Sequence, residues 1–382
     1  MPKKRLRIVT FNIIAMKNPV LIVGGGLAGL TAARHLHQSG IAFQLLEARN
    51  RLGGCILSTD ACGQVSDDGF DLGPSWFWPG MQSAMSYLVD DLALPFFAQH
   101  SDGDMLFQRE PGEAPRRFPG MRQLPDSMRL AGGIGAIVSA LAASLPKANL
   151  WLGTKVTQVT LDGDEVEVDF VDAVGATRRM KASHVLLALP PRLLEATVSF
   201  SPQLDAATVR NWRDTPTWMA PHAKFFALYD RPFWREAGLS GTAQSAVGPL
   251  SEIHDATTAS GKAALFGFIG MSAWQRAKLG TDVITQAAIE QLTQVFGPEA
   301  GQPHATLFKD WATDPLTATK DDRQADGHPV SGGLAPLPVE WQNRVWLSGS
   351  EAGRRDAGYL AGAIEAAEYA AMQIINQLER TL

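Results

Sequence analysis

A glycine-rich turn between a short apolar strand and a helix is the first feature of the sequence that could do chemistry. Residues 19–23 are apolar and rich in β-branched side chains, which predicts a buried parallel strand. Gly24, Gly26 and Gly29 follow at the G-x-G-x-x-G spacing, which suits a tight turn, a close backbone approach to pyrophosphate and close helix–sheet packing. The helix predicted over residues 28–39 would direct its free N–H groups and its positive dipole end at a diphosphate.

An acidic residue follows where the ribose of a dinucleotide would lie. A second strand, predicted over residues 42–46, ends at Glu47, which is 18 residues after Gly29. Its carboxylate could accept hydrogen bonds from ribose hydroxyls, and it would repel the 2′-phosphate of NADP. Strand, glycines, helix, strand and acid therefore come in the order that predicts an NAD or FAD site. A glycine turn that binds no ligand is the alternative.

The segment after the second strand distinguishes NAD from FAD. Residues 47–54 read EARNRLGG and resemble the E-A-R-x-R-x-G-G-R pattern of the flavin amine oxidase family, whose arginines and glycines lie along the FAD diphosphate. Cys55 stands where the family has its last arginine, and a thiol cannot make a charged bidentate bond to phosphate. The resemblance implies FAD, held more weakly or with help from another arginine. Solvated surface side chains are the alternative for Arg49 and Arg51.

A tryptophan-rich segment resembles a second motif of the same family. Residues 71–76 read DLGPSW and match the D-x-G-x-x-W/Y segment beneath the flavin ring, where Gly73 would let backbone approach the cofactor. Trp76 and Trp78 are two residues apart, so on an extended segment they would share one face. They would form a wall of the flavin or substrate cavity, or pack as ordinary core aromatics.

The C-terminal end resembles the closing motif of the family. Residues 349–351 read GSE, and residues 359–367 read YLAGAIEAA, which match G-[ST]-E and Y-x-x-G-A-[IV]-E-[AS]-[GA]. The helix predicted over residues 359–378 would direct its N-terminus at the flavin and stabilise negative charge on the reduced ring. A plain terminal helix is the alternative.

The resemblance implies a set of FAD-binding residues without a covalent link. The residues after Trp311, Thr313–Asp322, lack the cysteine that carries covalent FAD in some members, so non-covalent FAD is expected. Val156 would contact adenine through its backbone, and Trp311 matches a tryptophan near the flavin. The implied set is Gly24, Gly26, Leu27, Ala28, Gly29, Glu47, Ala48, Arg49, Arg51, Gly53, Gly54, Gly73, Pro74, Ser75, Trp76, Val156, Trp311, Gly349, Ser350, Glu351, Gly358, Tyr359 and Leu360.

Two residues are candidates for the reaction itself. Lys224 lies in an apolar strand a short distance before Phe233-Trp234, where the family has a lysine that holds a water near flavin N5. The alternative is an edge-strand lysine that guards against aggregation. Tyr359 matches one wall of the aromatic cage of the family, which steers an amine or its cation. The other wall should lie in Thr313–Asp322, which contains no aromatic residue.

The elements that must position these residues predict an α/β protein. Thr154–Leu161 and Glu165–Val171 alternate around an Asp-Gly turn and predict an antiparallel meander, and Val185–Leu189 predicts another buried strand. Apolar strands such as Lys224–Asp230 and Ala263–Ile269, and a helix over residues 281–296, predict a second sheet. The fold expected is a Rossmann-like FAD-binding domain, with a parallel sheet and the meander, and an α+β substrate-binding domain.

The predicted domains are discontinuous in sequence. Residues 1–18 are expected to be an N-terminal extension without fixed structure. Residues 84–145 are expected to be mostly helical and to join the substrate-binding half. The FAD-binding domain is predicted to comprise 19–83, 146–199 and 330–382, and the substrate-binding domain 84–145 and 200–329.

Composition excludes several classes of protein. The chain has 382 residues, of which 45% are hydrophobic, so it can build a large core. A net charge of −5 argues against nucleic-acid binding as its main role. The two cysteines, Cys55 and Cys62, fit neither a disulfide scaffold nor a zinc site, so no metal is predicted and the reducing cytoplasm is the expected compartment. There is no apolar run of about 18 residues, so no membrane span is predicted.

The resemblance implies an FAD-dependent amine oxidase. Such an enzyme oxidises the C–N bond of a small-molecule amine by hydride transfer to flavin N5, with O2 as acceptor and H2O2 released. Its end motifs are shared with protoporphyrinogen oxidases, carotenoid desaturases and renalase-like enzymes. Two alternatives therefore stay open: an FAD-dependent desaturase or dehydrogenase acting on a non-amine, and an FAD-binding protein with degraded catalysis. The oligomeric state is not predicted.

Overall fold

The fold is seen in a computed structural model that describes residues 18–120, 124–324 and 327–381. The predicted N-terminal extension, apart from Asn18, lies outside the described residues. Among the described helices, none combines the length and apolar composition that crossing a bilayer requires.

Helices connect and flank the sheets along the described chain. The prediction of a helix after the glycine turn is confirmed, with a shift of one residue at each end. The helix predicted over residues 281–296 is found with those bounds. The α-helices are α1 Leu27–Gln38, α2 Ser83–Asp91, α3 Gly135–Ala143, α4 Pro191–Thr197, α5 Ala206–Asp214, α6 Phe233–Glu236, α7 Ala273–Leu279, α8 Thr281–Phe296 and α9 Leu360–Thr381.

The strands of the described residues form three larger sheets and two two-stranded sheets. The strands are β1 Val20–Val23, β2 Phe43–Leu46, β3 Ser58–Thr59, β4 Phe70–Asp71, β5 Phe96–Ala98, β6 Asp104–Gln108, β7 Arg116–Phe118, β8 Met128–Leu130, β9 Leu150–Trp151, β10 Lys155–Asp162, β11 Glu165–Val171, β12 Thr177–Ala182, β13 His184–Leu187, β14 Ser199–Ser201, β15 Ala223–Tyr229, β16 Leu239–Ser245, β17 Leu250–Asp255, β18 Ala263–Ile269, β19 Ala305–Asp310 and β20 Val345–Leu347. The two-stranded sheets are β3-β4 and β5-β8.

A five-stranded parallel sheet forms the first layer, in the order β20-β13-β1-β2-β9. The central strand β1 is buried along its whole length because both faces of the sheet are covered. Val20 and Ile22 pack into the core with α1 and α9, whereas Leu21 and Val23 pack into the core with the meander. The sheet therefore joins strands from both ends of the chain, which confirms the predicted Rossmann-like α/β fold.

The predicted meander is present as a four-stranded sheet in the order β12-β11-β10-β14. β10 and β11 pair antiparallel around the Asp162-Gly163 turn, and β11 pairs antiparallel with β12. Alternate residues of β11, including Val166, Val168 and Phe170, are buried against the first sheet. One face of the meander therefore covers the parallel sheet, as period-two patterning predicts.

A seven-stranded sheet forms the second large layer, in the order β19-β15-β18-β17-β16-β6-β7. β15 lies between β19 and β18, pairs antiparallel with both, and has every residue buried. Its phenylalanines divide between two cores: Phe225 packs with α8, and Phe226 packs with β4. The sheet thus presents one face to a helix and the other to the segment that follows the glycine motifs.

The expectation that residues 84–145 are mostly helical is wrong. α2 and α3 frame a region that contains the short strands β5 to β8. β6 pairs in parallel with β16, so its conformation depends on a partner more than a hundred residues away that local patterning does not show. The apolar side chains of α2 and α3 pack in the core of the first sheet, while β6 and β7 extend the second. The proposed domain boundaries stay a prediction.

Candidate active site

A cavity of about 880 Å³ lies where the ends of the parallel strands face the seven-stranded sheet. Its walls come from both ends of the chain and from β15, β17 and β18. The predicted site residues that border it are Gly24, Gly26, Leu27, Ala28, Glu47, Arg49, Gly53, Gly54, Gly73, Pro74, Ser75, Trp76, Lys224, Gly349, Ser350, Glu351, Gly358, Tyr359 and Leu360.

Two glycine motifs face each other across one end of the cavity. A bridge pairs Gly26 with Gly53, and a side-chain carbon built on Gly26 would find nothing nearer than the Cα of Gly54, at 3.9 Å. A carbon built on Gly29 would lie 1.9 Å from the carbonyl oxygen of Gly24, so α1 packs directly on the turn. No side chain caps the N-terminus of α1. The result is a backbone-lined cleft at a helix N-terminus, which fits a diphosphate.

The buried carboxylate of Glu47 holds this cleft together. Its Oε2 accepts a hydrogen bond from the backbone N–H of Gly25 at 2.6 Å, and its Oε1 accepts one from that of Arg49 at 2.8 Å. A carboxylate has about four acceptor positions, so capacity for a ribose hydroxyl remains. Glu47 therefore links the first glycine turn to the second strand and borders the cavity at the same time.

The two arginines after Glu47 bind protein groups. The Nη2 atom of Arg49 donates to Asp314 at 3.0 Å and to Thr317 at 2.8 Å, which ties the cleft to the loop after β19. Arg51 donates to carbonyl oxygens of its own loop, including that of Gly54 at 2.8 Å, and does not border the cavity. Arg51 thus shapes the second glycine turn from behind.

Cys55 borders the cavity at the position that departs from the family pattern. Burial raises the pKa of its thiol, so at neutral pH the group is uncharged. The site therefore lacks the cation that an arginine would supply here. Arg323 borders the same cavity and donates from Nε to the carbonyl oxygen of Ala312 at 3.1 Å.

A buried carboxyl group without a partner borders the cavity beside the C-terminal motif. Glu351 is 3% exposed, and its Oε2 has no hydrogen-bond partner among the described residues. Burial raises its pKa to about 7, so it can donate as an acid or accept as a carboxylate near neutral pH. An unsatisfied buried polar atom is costly, and a ligand hydroxyl or ring N–H would satisfy it. Together with the glycine cleft, this residue fits FAD.

Lys224 extends from β15 into the cavity wall formed by the Asp71–Ser75 segment. Its Nζ donates to the carbonyl oxygens of Gly73 at 2.5 Å and Asp71 at 3.3 Å, and to the hydroxyl of Ser75 at 2.8 Å. The side chain is almost fully buried, and burial lowers its pKa to about 7. Lys224 therefore joins the second sheet to the predicted flavin-contacting segment and can exchange a proton near neutral pH.

An aromatic wall surrounds Tyr359. Its ring lies 4.5 Å from that of His328 and 6.4 Å from that of Trp78, measured between ring centroids. Trp218 extends the wall, with its ring 4.8 Å from His328 and 4.9 Å from His222. Aromatic rings therefore accompany Tyr359 from segments outside Thr313–Asp322, which supplies none.

In addition to Arg51, four predicted site residues do not border the main cavity. Gly29 packs inside the turn, and Trp311 is fully buried with its indole N–H bonded to the carbonyl oxygen of Leu72 at 2.9 Å. Ala48 and Val156 border a small adjoining pocket of about 40 Å³ that shares Glu47 with the main cavity. Gly29 and Trp311 therefore lie behind the cavity walls, and Ala48 and Val156 line the adjoining pocket.

Several cavity residues were missed by sequence reasoning. Trp218 and His222 border the cavity but carry no motif, and the ring of His328 meets that of Trp218 only because distant segments fold together. Glu252 also borders the cavity, and its Oε1 lies 2.8 Å from Nε2 of His254. An acidic residue two positions before a histidine in the same strand was the available signal, because alternate residues of a strand share a face.

Comparison with known families identifies two matches within the chain. The sequence pattern of the family described as flavin containing amine oxidoreductase matches residues 112–375. That of the NAD(P)-binding Rossmann-like domain matches residues 22–92, which contain the glycine turn and Glu47. The first match extends over more than half of the chain.

Individual proteins are similar over long stretches at low identity. An L-amino acid dehydrogenase from Synechocystis sp. is 28% identical over 66% of this chain, a match that covers 52% of that enzyme. The flavin-containing amine oxidase B of Canis lupus familiaris is 24% identical over 95% of this chain and 87% of its own length. The structure of cyclohexylamine oxidase from Brevibacterium oxydans matches with a TM-score of 0.79 at 19% identity, over 95% of this chain and all of that one.

Proposed function

Because the chain belongs to the flavin containing amine oxidoreductase family, it is an FAD-dependent oxidoreductase, and we propose that it oxidises an amine with O2 as acceptor. The observation that carries the proposal is one cavity bordered both by the glycine cleft and by Lys224 and Tyr359. The overall reaction converts a primary amine, O2 and water into an aldehyde, ammonia and H2O2, and a secondary amine would release a smaller amine in place of ammonia.

The glycine cleft and the C-terminal motif would hold the cofactor. Gly26, Gly54 and the N-terminus of α1 would bind the diphosphate, Glu47 the adenosine ribose, and Glu351 a polar atom nearer the flavin. FAD, when bound, supplies the two-electron chemistry that the side chains cannot. The absence of a cysteine between Thr313 and Asp322 supports non-covalent binding.

Lys224 and Tyr359 would act on the substrate side. Lys224 fixes the Asp71–Ser75 segment, and we retain the proposal that it also holds the water used near the flavin. Its longest hydrogen bond, 3.3 Å to Asp71, is the one that such a water would replace. Tyr359, with Trp78 and His328 beside it, would receive the amine through its ring face.

The compartment and domain assignment complete the proposal. We propose a cytoplasmic enzyme because both cysteines are free thiols. We also propose that residues 19–83, 146–199 and 330–382 form the FAD-binding domain and that residues 84–145 and 200–329 form the substrate-binding domain. The sheets support this division, since apart from β14, which crosses the boundary after residue 199, the strands of the five- and four-stranded sheets come from the first set and those of the seven-stranded sheet from the second.

A product assay tests the proposed function. The FAD-loaded protein is incubated aerobically with a panel of primary and secondary amines, and H2O2 and aldehyde are measured together. The proposal expects equal amounts of both products with at least one amine. Flavin reduction only by a substrate without a C–N bond, such as a polyene, would favour the desaturase alternative. A protein that binds FAD but reacts with neither class would favour degraded catalysis.

A further inference from the structure

A second cavity, of about 540 Å³, lies behind two tryptophans of the main cavity. Its lining includes Gln99, whose Oε1 accepts a hydrogen bond from Nε1 of Trp76 at 2.8 Å, and Ser127, whose Oγ accepts one from Nε1 of Trp78 at 2.9 Å. Both tryptophans border the main cavity, and among the described residues none borders both cavities. The second cavity is therefore a separate site, which the proposed amine oxidation does not use.

Arg129 gives the second cavity a buried positive charge. It lies in β8 opposite Phe97 of β5, is 5% exposed, and has its guanidinium carbon 5.3 Å from the centroid of the phenyl ring. Its Nη1 donates to the carbonyl oxygen of Thr257 at 2.9 Å, and its Nη2 donates to that of Ala256 at 3.2 Å. Both acceptors are neutral, and no carboxylate forms an ion pair with Arg129 in the described part of the chain. A buried cation without a contacting anion is costly, so an anion in the cavity would stabilise it.

Two further polar atoms of the same lining have no hydrogen-bond partner among residues 18–120, 124–324 and 327–381. They are Oγ1 of Thr257 and Nε2 of His100, and Thr257 is only 5% exposed. Burial lowers the pKa of His100, so its ring is uncharged at neutral pH and can carry its proton on Nε2. A hydroxyl group and an imidazole N–H both donate hydrogen bonds. The unsatisfied groups of this cavity are therefore suited to an acceptor-rich ligand.

The other charged residues of the lining leave the charge of Arg129 uncompensated. Arg235 makes two hydrogen bonds to the buried carboxylate of Asp255, at 2.7 and 2.9 Å, so these two charges offset each other. Asp102 is exposed, where water screens its charge, and Asp126 already interacts with another group of the protein. The buried part of the lining thus combines one uncompensated cation with two unused donors.

We propose that the second cavity binds a small oxyanion, the carboxylate or phosphate group of a small molecule, with Arg129, Thr257 and His100 as its donors. Arg129 would supply the charge, because only two of its five N–H groups are used by carbonyl oxygens. A guanidinium suits both kinds of anion, since its planar fork matches a pair of oxygen atoms. Thr257 and His100 would each add a hydrogen bond that no protein group now accepts.

Calorimetric titration tests this proposal directly. The FAD-loaded protein is titrated separately with inorganic phosphate and with succinate at constant ionic strength, so that bound FAD keeps the anion out of the glycine cleft. One saturable site per chain is expected for at least one of the two anions, with a Kd of about 1 mM or tighter. The anion that binds more tightly identifies the ligand as a phosphate or a carboxylate. No saturable binding of either anion would overturn the proposal.

Thr257→Val locates the bound anion without disturbing the fold. Valine keeps the shape of threonine, and the hydroxyl that it removes has no partner, so the unfolding midpoint in urea without anion should not fall. The Kd of the anion should nevertheless rise about fivefold or more, because one hydrogen bond to a charged group is lost. Thr177→Val, at an exposed position of β12, makes the same change outside both cavities and should keep the Kd. An equal Kd in the wild type and Thr257→Val would overturn the proposal.

Arg129→Gln tests the source of the charge. It removes the cation but keeps a donor, and the Kd should rise more than tenfold because charge-assisted hydrogen bonds are the stronger ones. Circular dichroism and FAD content establish that this buried variant folds, and Thr257→Val decides the question if it does not. A folded Arg129→Gln protein with the wild-type Kd would also overturn the proposal. These measurements need no amine, so their failure is distinct from a failure of the proposed oxidation.

Discussion

Replacing Lys224 by methionine removes an ammonium group from a buried position while keeping nearly the same side-chain volume. The ammonium donates to two carbonyl oxygens and one hydroxyl of the Asp71–Ser75 segment. Methionine cannot donate, so these buried acceptors lose a partner, at about 1–3 kcal/mol each. We therefore expect Lys224→Met to loosen the segment that borders the cavity and to slow flavin reduction by an amine.

The stability effect depends on pH in a direction that follows from the lysine's lowered pKa. Burial lowers the pKa of Lys224 from 10.5 to about 7, so between these values the unfolded chain binds a proton that the folded chain does not. The contribution of Lys224 to the free energy of unfolding therefore rises as the pH increases from about 7 to 10.5. At about 1.4 kcal/mol per pKa unit the rise reaches about 5 kcal/mol, an upper limit because structural relaxation reduces it. The methionine variant cannot show this rise.

Urea unfolding followed by tryptophan fluorescence measures the effect. The free energy of unfolding is determined for the wild type and for Lys224→Met at several pH values between neutral and alkaline. As pH increases, the free energy of unfolding of the wild type should rise relative to that of Lys224→Met. Lys278→Met, at an exposed position of α7, serves as the control and should show no such trend. A difference between wild type and Lys224→Met that is constant with pH would refute the reasoning.

Three other substitutions follow from distances in the structure. Gly26→Ala places its new carbon at ordinary van der Waals distance from its neighbours, so we expect normal folding by circular dichroism but at least about tenfold weaker FAD binding by fluorescence titration. Gly29→Ala would collide with backbone at 1.9 Å, so it should lower the unfolding midpoint in urea even without FAD. Asp310→Ala leaves the buried guanidinium of Arg276 unpaired, and we expect a loss of about 3–5 kcal/mol in the free energy of unfolding. Equal FAD affinity in Gly26→Ala, an unchanged midpoint in Gly29→Ala, or an unchanged unfolding free energy in Asp310→Ala would contradict these expectations.

The parts of the fold that the sequence predicts are those fixed by local geometry. Gly24 has a φ of +107°, and Gly29 leaves no space for a side chain, so the glycine spacing itself reports the turn. β18 is a continuous apolar run and α8 carries a helical pattern over its whole length, and the bounds of both were predicted correctly. Turns and elements that depend on local backbone geometry can thus be predicted from a single sequence.

The candidate site is harder to predict from the sequence because its contacts join segments that are far apart along the chain. The acceptors around Lys224 lie about 150 residues before it in sequence, and the ring beside Tyr359 belongs to His328. The strand β6 forms because β16 offers it an edge, which no local pattern shows. Glu252 faces the cavity because of the register of β17 with β18. Register between strands depends on the packed core as a whole.

An anaerobic titration tests the central claim most directly, that one cavity holds FAD and admits an amine to it. The FAD-loaded protein is titrated with an amine under nitrogen, and the visible flavin absorbance is followed together with the FAD content per chain. The account predicts one FAD per chain, complete bleaching by a stoichiometric amount of amine, and recovery of the absorbance on admission of air. A chain that fails to retain FAD at micromolar concentration, or a bound flavin that no amine bleaches, would contradict it.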